Sequence, residues 1–334
     1  MTTVTTAEAP ARNRPRRPLT PHGLTWTLLR VHRSALWFWV MYVAVIAAAL
    51  LWLYGPGAHA AMDELVRSRC RDGVIPELDC DSPGPAGARW DAIVVLAGSM
   101  IALAPVLIAT WAGGSLIGRA LEDGTARLAW TQSVSPTRWL AAQLAVPAVL
   151  ITAGMLPLTL LHRMMWAAHP ELRPGSGYWF DSRIFDANGI VATVDSLFGL
   201  AFGVLVGMVA RRSMTGLGVS LGATGFGLEE FQSVVPYLWP AETRKVTVDF
   251  SGSLGMPAGE GSYTATGARL PDVLCGGRAS CVARHHVVGE YRDYHPAAHF
   301  WPLQLMETGI LLTLAALAAL TAFALLRRRT GASV

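Results

Sequence analysis

Three acidic residues stand where an apolar chain can least accommodate them. Asp195 lies in VATVDSLFGLAFG, and Glu229 and Glu230 lie in GFGLEEFQS, both inside long hydrophobic stretches. Ionisable groups at such positions are costly to bury and by default face a cavity or a bundle interior, where they can move a proton or line a path. The plainer alternatives stay open: Asp195 sits about two turns from a span end and can reach interfacial water, and the glutamates can make structural polar contacts. Four histidines, His285, His286, His295 and His299, gather in one later segment. Two of them stand four apart, as metal ligands on a helix face would, but no thiolate or carboxylate pattern accompanies them, so no metal site is expected. The sequence contains no G-x-S-x-G, no H-E-x-x-H and no paired-cysteine zinc spacing, and no residue is assigned a catalytic role.

The elements that must position these residues are set by hydropathy. Only 15% of the 334 residues are charged and 52% are hydrophobic; an average soluble domain carries about 25% charge. Crossing about 30 Å of hydrocarbon takes roughly 18 or more apolar residues as a helix. Six segments approach that length: Ala35 to Tyr54, Ile93 to Trp111, Leu140 to Leu161, Gly189 to Ala210, Met214 to Leu238 and Leu303 to Leu326. The fifth is the weakest because Glu229 and Glu230 interrupt it, and Gly225, Gly227 and Pro236 allow a break there. The expected fold is an all-α polytopic membrane protein with six transmembrane helices, a short cytoplasmic helix and an outer loop subdomain with some β structure. Gly199, Gly203 and Gly207 form a small-x-x-x-small row for close helix packing, within one subunit or across a dimer seam.

An even number of spans puts both termini on one side. Fourteen of the 27 basic residues lie in the termini and the even-numbered connections, among them Arg30, Arg33, Arg119, Arg127, Arg138, Arg211 and Arg212, which places those segments in the cytoplasm. The net charge of +4 then reflects topology and contact with lipid head groups, and no nucleic-acid partner is expected. Trp37, Trp39, Trp52, Trp90, Trp111, Trp139, Trp239 and Trp301 fall at or near span ends, as interfacial rings do. The first apolar run is as long as a full span and is read as an anchor in the bacterial plasma membrane. Residues 1–19 read as a disordered basic terminus, 20–34 as an interfacial helix capped by Thr20 and begun by Pro21, 35–238 as five spans with an outer loop at 55–92 and a cytoplasmic loop at 113–138, 239–302 as an outer lid, 303–326 as the last span and 327–334 as a cytoplasmic tail. In the lid, KVTVDFSGS alternates with period two, as a half-buried strand does. All four cysteines, Cys70, Cys80, Cys275 and Cys281, fall in outer loops, where disulfides form; short-loop closure favours Cys70 with Cys80 and Cys275 with Cys281, and crossed pairing stays open.

Between the second and third spans runs LEDGTARLAWTQSVSPTRWL. Asp123-Gly124 breaks the chain, Thr125 is expected to cap a helix of about two turns, and Ser135 with Pro136 begins the next span. So short a helix needs a surface to pack on, because nucleation costs more than its few hydrogen bonds return. Lipid or the protein's own loops can supply that surface. A docked soluble partner can too, with Leu128 and Trp130 as apolar contacts and Glu122 and Arg127 as polar ones.

This stretch resembles the cytoplasmic loop of actinobacterial ABC-2-type transporter permeases, whose pattern is close to E-x-G-T-x-R-L-A-W-T-Q-S-V-S-x-x-R-W-L. FDANGIVATVDSLFGLAFGVLVGMVARRSMTGLG is similar to that family's fourth span with its trailing Arg-Arg pair, and YHPAAHFWPLQLMETGILLTLAALAAL to its last. The resemblance implies that the short helix is a coupling helix seated in a separate ABC ATPase subunit, with Glu122, Gly124, Thr125, Arg127, Leu128 and Trp130 at the contact. It implies two ATPase copies, a second permease copy or a homologous permease, surrounding lipid, and export of an amphipathic or hydrophobic small molecule, peptide or lipid. No cofactor is expected on this chain. G-x-x-x-x-G-K-[ST] does not occur and Lys245 is the sole lysine, so ATP and Mg belong to the partner. Asp195, Glu229 and Glu230 are the candidates for lining the pathway. Two other readings remain, a membrane-integral enzyme using those carboxylates and a sensor or scaffold.

Overall fold

A computed structural model describes residues 23–67, 84–132, 134–173, 178–246, 255–271 and 279–331. Cys70, Cys80 and Cys275, the side chain of Cys281, the basic terminus, and Thr20 and Pro21 lie outside what is described. The chain is mostly helical. Helix α1 covers Leu24–Val31, α2 Arg33–Trp52 and α3 Ala58–Arg67; α4 covers Pro85–Trp111, α5 Arg119–Glu122, α6 Thr125–Thr131 and α7 Pro136–Ala168. The short α8, Ser182–Ala187, leads into α9, Val191–Ala210, and α10, Ser213–Val234; α11, Ala279–Arg284, lies among strands, and α12 is Phe300–Thr330.

Among the described residues, five helical stretches are long and apolar enough to cross a membrane: Arg33–Arg67, Pro85–Glu122, Pro136–Ala168, Val191–Ala210 and Ala297–Thr330. The fifth expected span is a helix, α10, but not one of these five, because its five glycines and Glu229-Glu230 dilute its apolar content. It also runs unbroken through both glutamates. The backbone hydrogen bonds of a helix do not depend on side-chain polarity, so the acidic pair lowers hydropathy without ending the helix.

Helices extend past the hydropathy limits for the same reason. The first continues through a wider π turn at Leu53–Gly57 into α3, and the second starts at Pro85 and passes a π segment, Ala112–Gly118, before ending at Glu122. Much of the expected 55–92 and 113–138 loops is therefore helix. Pro85 occupies the first turn of α4, where its missing N–H costs nothing, and Glu64 of α3 accepts from the Ala86 and Gly87 amides at 2.8 Å each.

The packing centre is the glycine row of α9. A Cβ at Gly199, Gly203 or Gly207 would run into the Pro105, Ala109 or Gly113 carbonyl oxygen respectively, so α9 lies parallel to α4 at backbone contact within one chain. Gly216 of α10 meets Gly113 and Gly225 meets Val106, which sets α10 antiparallel to α4. Trp90 is buried with its indole N–H donated to the Leu53 carbonyl at 3.1 Å, and Trp139 is buried too, so these two are core residues while Trp37 and Trp301 remain exposed.

Between α10 and α12 stands a four-stranded antiparallel sheet in the order β1-β4-β2-β3, from β1 Glu242–Val246, β2 Met256–Thr264, β3 Arg269–Pro271 and β4 Val287–His295. The strand expected at KVTVDFSGS begins three residues earlier, at Glu242, and its stretch beyond Val246 lies outside the described residues. The bundle thus has a near face, carrying the 119–135 connection, and a far face, carrying the sheet.

Candidate functional site

On the near face the connection folds as two pieces. Gly124 stands at φ +70°, a left-handed backbone that only glycine adopts at little cost, and it precedes the first residue of α6. Thr125 therefore does not cap α6 as expected. It is the first helical residue, and its hydroxyl donates to the Ala120 carbonyl at 3.2 Å. Ser135 does cap α7, accepting from the Arg138 amide at 3.3 Å, with Pro136 in the first turn.

The back of α6 packs on the protein itself. Ala126 is buried, and Trp130 meets Trp139 of α7 edge to face at 5.8 Å. Arg127 points to the exterior, and Leu128 is 60% exposed. Glu122 accepts from the Ser213 amide at 2.8 Å, so one oxygen of the expected contact residue is engaged in holding the start of α10. Arg119 pairs with Asp123 at 3.4 Å.

The far side holds a second constellation. Asp186 of α8, Asp195 of α9 and Glu307 of α12 are all buried. The Gln232 amide of α10 donates to Asp186 Oδ1 at 3.1 Å and Oδ2 at 3.3 Å and to Glu307 Oε1 at 3.3 Å. Asp195 Oδ1 and Glu307 Oε2 have no hydrogen-bond partner, and among the described residues no ion pair involves these three carboxyls. Burial pushes the Asp186 carboxyl, in the connection before α9, up to about 7; the Gln232 bond opposes the rise, and the charges of Asp181 and Glu229 add to it. Beside them Gln304 is fully buried, accepting from the Val191 amide at 3.2 Å and donating to the Phe185 carbonyl at 2.8 Å. It ties α12 to the start of α9.

Of the acids singled out in the sequence, Asp195 enters this cluster, while Glu229 and Glu230 lie exposed on α10. Asp186, Gln232, Gln304 and Glu307 were missed. Glu307 carried a signal, an acid five residues inside the last apolar run; Asp186 lies outside every run and gave none. The histidines divide similarly. His295 is buried, with Nε2 2.7 Å from the Pro236 carbonyl and Nδ1 3.1 Å from His299 Nδ1, and among the described residues no group of three or more His, Cys, Asp or Glu is placed to hold a metal ion.

The family model described as ABC-2 membrane transporter related matches residues 40–234. That stretch contains α6, the glycine row of α9 and most of the helical bundle. The chain belongs to this family. No curated protein matches the chain, and no solved structure does. Membership makes it a multi-pass membrane protein of a transporter type whose membrane subunit is generally not catalytic and works with an ABC ATPase subunit. Within this ABC-2 protein, the connection holding α6 is the segment that joins two spans on the near face, and the carboxyl cluster lies at the opposite end of the bundle.

Proposed function

We propose that this chain is the pathway-forming subunit of an ATP-driven exporter of amphipathic or hydrophobic compounds, with α6 as its coupling helix. The near face is then cytoplasmic, with both termini on that side, α10 completes a set of six crossing helices, and the sheet stands outside. Two permease chains, identical or related, enclose the path and engage two ATPase subunits that bind ATP and Mg.

The observation that carries this reading is Leu128. Its helix is fixed from behind by Ala126 and the Trp130–Trp139 contact, yet its own side chain and that of Arg127 face outward. A rigid helix presenting one apolar and one cationic side chain suits a groove on a soluble partner, and rigid backing lets a push on α6 reach α7. Differential affinity of the ATPase for two arrangements of α6 would then bias the pathway between inward-facing and outward-facing states.

The test is purification of tagged chain from its native membrane in mild detergent, comparing native protein with Leu128→Asp. A stoichiometric ATPase that accompanies the native chain and is lost from the variant, at equal membrane abundance, supports the reading. Equal recovery from both removes Leu128 from the contact, and recovery of no ATPase from either, even after crosslinking, counts against the permease reading itself.

A further inference from the structure

The far-side cluster gathers more acid than its surroundings can neutralise. Asp186, Asp195 and Glu307 are 7%, 5% and 0% exposed; the charges of Asp186 and Asp195 both act on Glu307, and that of Asp186 acts on Asp195. The Gln232 amide reaches Asp186 and Glu307, while Asp195 Oδ1 and Glu307 Oε2 are buried without a partner. A buried polar atom with no partner calls for an explanation.

No counter-charge comes from the elements around it. Asp181 at the start of α8 and Glu229 and Glu230 of α10 are further acids, all exposed, and Arg183 of α8 is exposed as well. Helix α9 carries no other charged residue, and the arginines of α12 stand at its opposite end, Arg327 to Arg329. From α7, Arg163 donates to the Asn188 carbonyl at 3.2 Å and lies over the rings of Phe300 and Trp301 at 5.5 and 4.7 Å, so it is spent elsewhere. His162 donates from Nδ1 to Asn188 Oδ1 at 2.8 Å; a positive ring would leave a second N–H unpaired in the interior, so it offers no counter-charge. Helix α4 meets α8 at Gly98, about two turns past its own Asp91. Val235 and Met256 cover Phe185 with apolar surface. An unpaired buried charge is among the costliest groups an interior can hold, and a carboxyl takes up a proton instead.

We infer that this joint is a proton-binding site: Asp195 and Glu307 hold protons while α8, α9, α10 and α12 stay together, and Asp186 trades one with the far side. A proton needs no open cavity, only an oxygen lone pair, and two such oxygens stand empty. Asp186 suits the exchange because it alone of the three precedes the spans, and its carboxyl, pushed up to about 7 by burial, changes charge near neutral pH. Parting the four helices admits water to the acids and passes their protons to it, so movement of the joint and proton release are linked. None of this requires the ATPase or the exporter reading.

The experiment is infrared spectroscopy of the full chain in nanodiscs of ether-linked lipid, which has no ester carbonyl to mask the C=O stretch of a protonated carboxyl. At pH 8 the native chain should show that band, and Asp195→Asn and Glu307→Gln should each remove about half of its amplitude, since each deletes one of two proton carriers. Lowering the pH to 6 should add intensity that Asp186→Asn lacks. A native spectrum with no protonated-carboxyl band at pH 8, or a band that survives both substitutions, overturns the proposal. An increment at pH 6 that persists in Asp186→Asn overturns the exchange through that residue. The native spectrum decides by itself if the variants fail to fold.

Discussion

The two ends of the bundle handle polar groups in opposite ways. On the near face, charges are exposed or paired: Arg119 with Asp123, Glu122 on the Ser213 amide, Arg127 outward. On the far side, three carboxyls are buried, two of them bonded to the Gln232 amide, with two oxygens left empty. The near face thus keeps its charges at the surface, as the proposed docking of an ATPase requires, whereas the far cluster is an internal joint in which α8, α9, α10 and α12 meet. A substitution should therefore act on partner binding at one end and on the fold at the other.

The largest effect is expected at the far end. Gln304→Leu leaves the Val191 amide and the Phe185 carbonyl unpaired in the interior and should cost about 2–5 kcal/mol, read as a fall in melting temperature of the chain in nanodiscs. A shift within error would break the contrast, because the joint would then not depend on its polar ties. Leu128→Asp should be its mirror image. Melting should move by less than about 0.5 kcal/mol, as for ordinary surface changes, while ATPase affinity falls by about tenfold or more, measured by titrating the partner.

Next comes a pH dependence specific to the far side. Unfolded, the Asp186 carboxyl titrates near its ordinary 3.8, and folded it is pushed up to about 7. Between those values the folded chain binds the extra proton, so this residue's contribution to stability declines as pH rises through that window and levels off above about 7. Asp186→Asn should flatten that slope in melting curves taken from pH 4 to 8, and Asp123→Asn on the near face should not. The smallest effect is expected for Asp195→Asn. The amide keeps the shape and supplies a donor within the cluster, so stability should change by less than about 1 kcal/mol in the same assay. A large loss there would mean that the ionised carboxylate is needed, and the joint would have to be reconsidered as a charged site.

Legibility in the sequence also differed between the ends. The connection was readable because its signals are local: Asp123-Gly124 as a break, Ser135-Pro136 as a start, an amphipathic pair of turns between them. Even so the cap was misread, since whether Thr125 or Gly124 precedes the helix turns on one positive φ angle. The carboxyl cluster was legible only in part. Asp195 stood out against its apolar neighbours, but its companions come from segments 9, 37 and 112 positions away, Asp186, Gln232 and Glu307, and no local pattern relates them.

By itself the sequence determined that the chain is helical and lipid-embedded, where its helices pack through glycine, and which segment joins the second and third spans. These follow from hydropathy, side-chain size and backbone freedom, properties that each residue carries wherever it is placed. Only the tertiary structure decided that the helices outrun their apolar cores, that the Gln232 amide joins Asp186 to Glu307, and that Asp195 is buried with them. Those depend on which helices are neighbours, and the energy of a buried polar group is set by what stands opposite it.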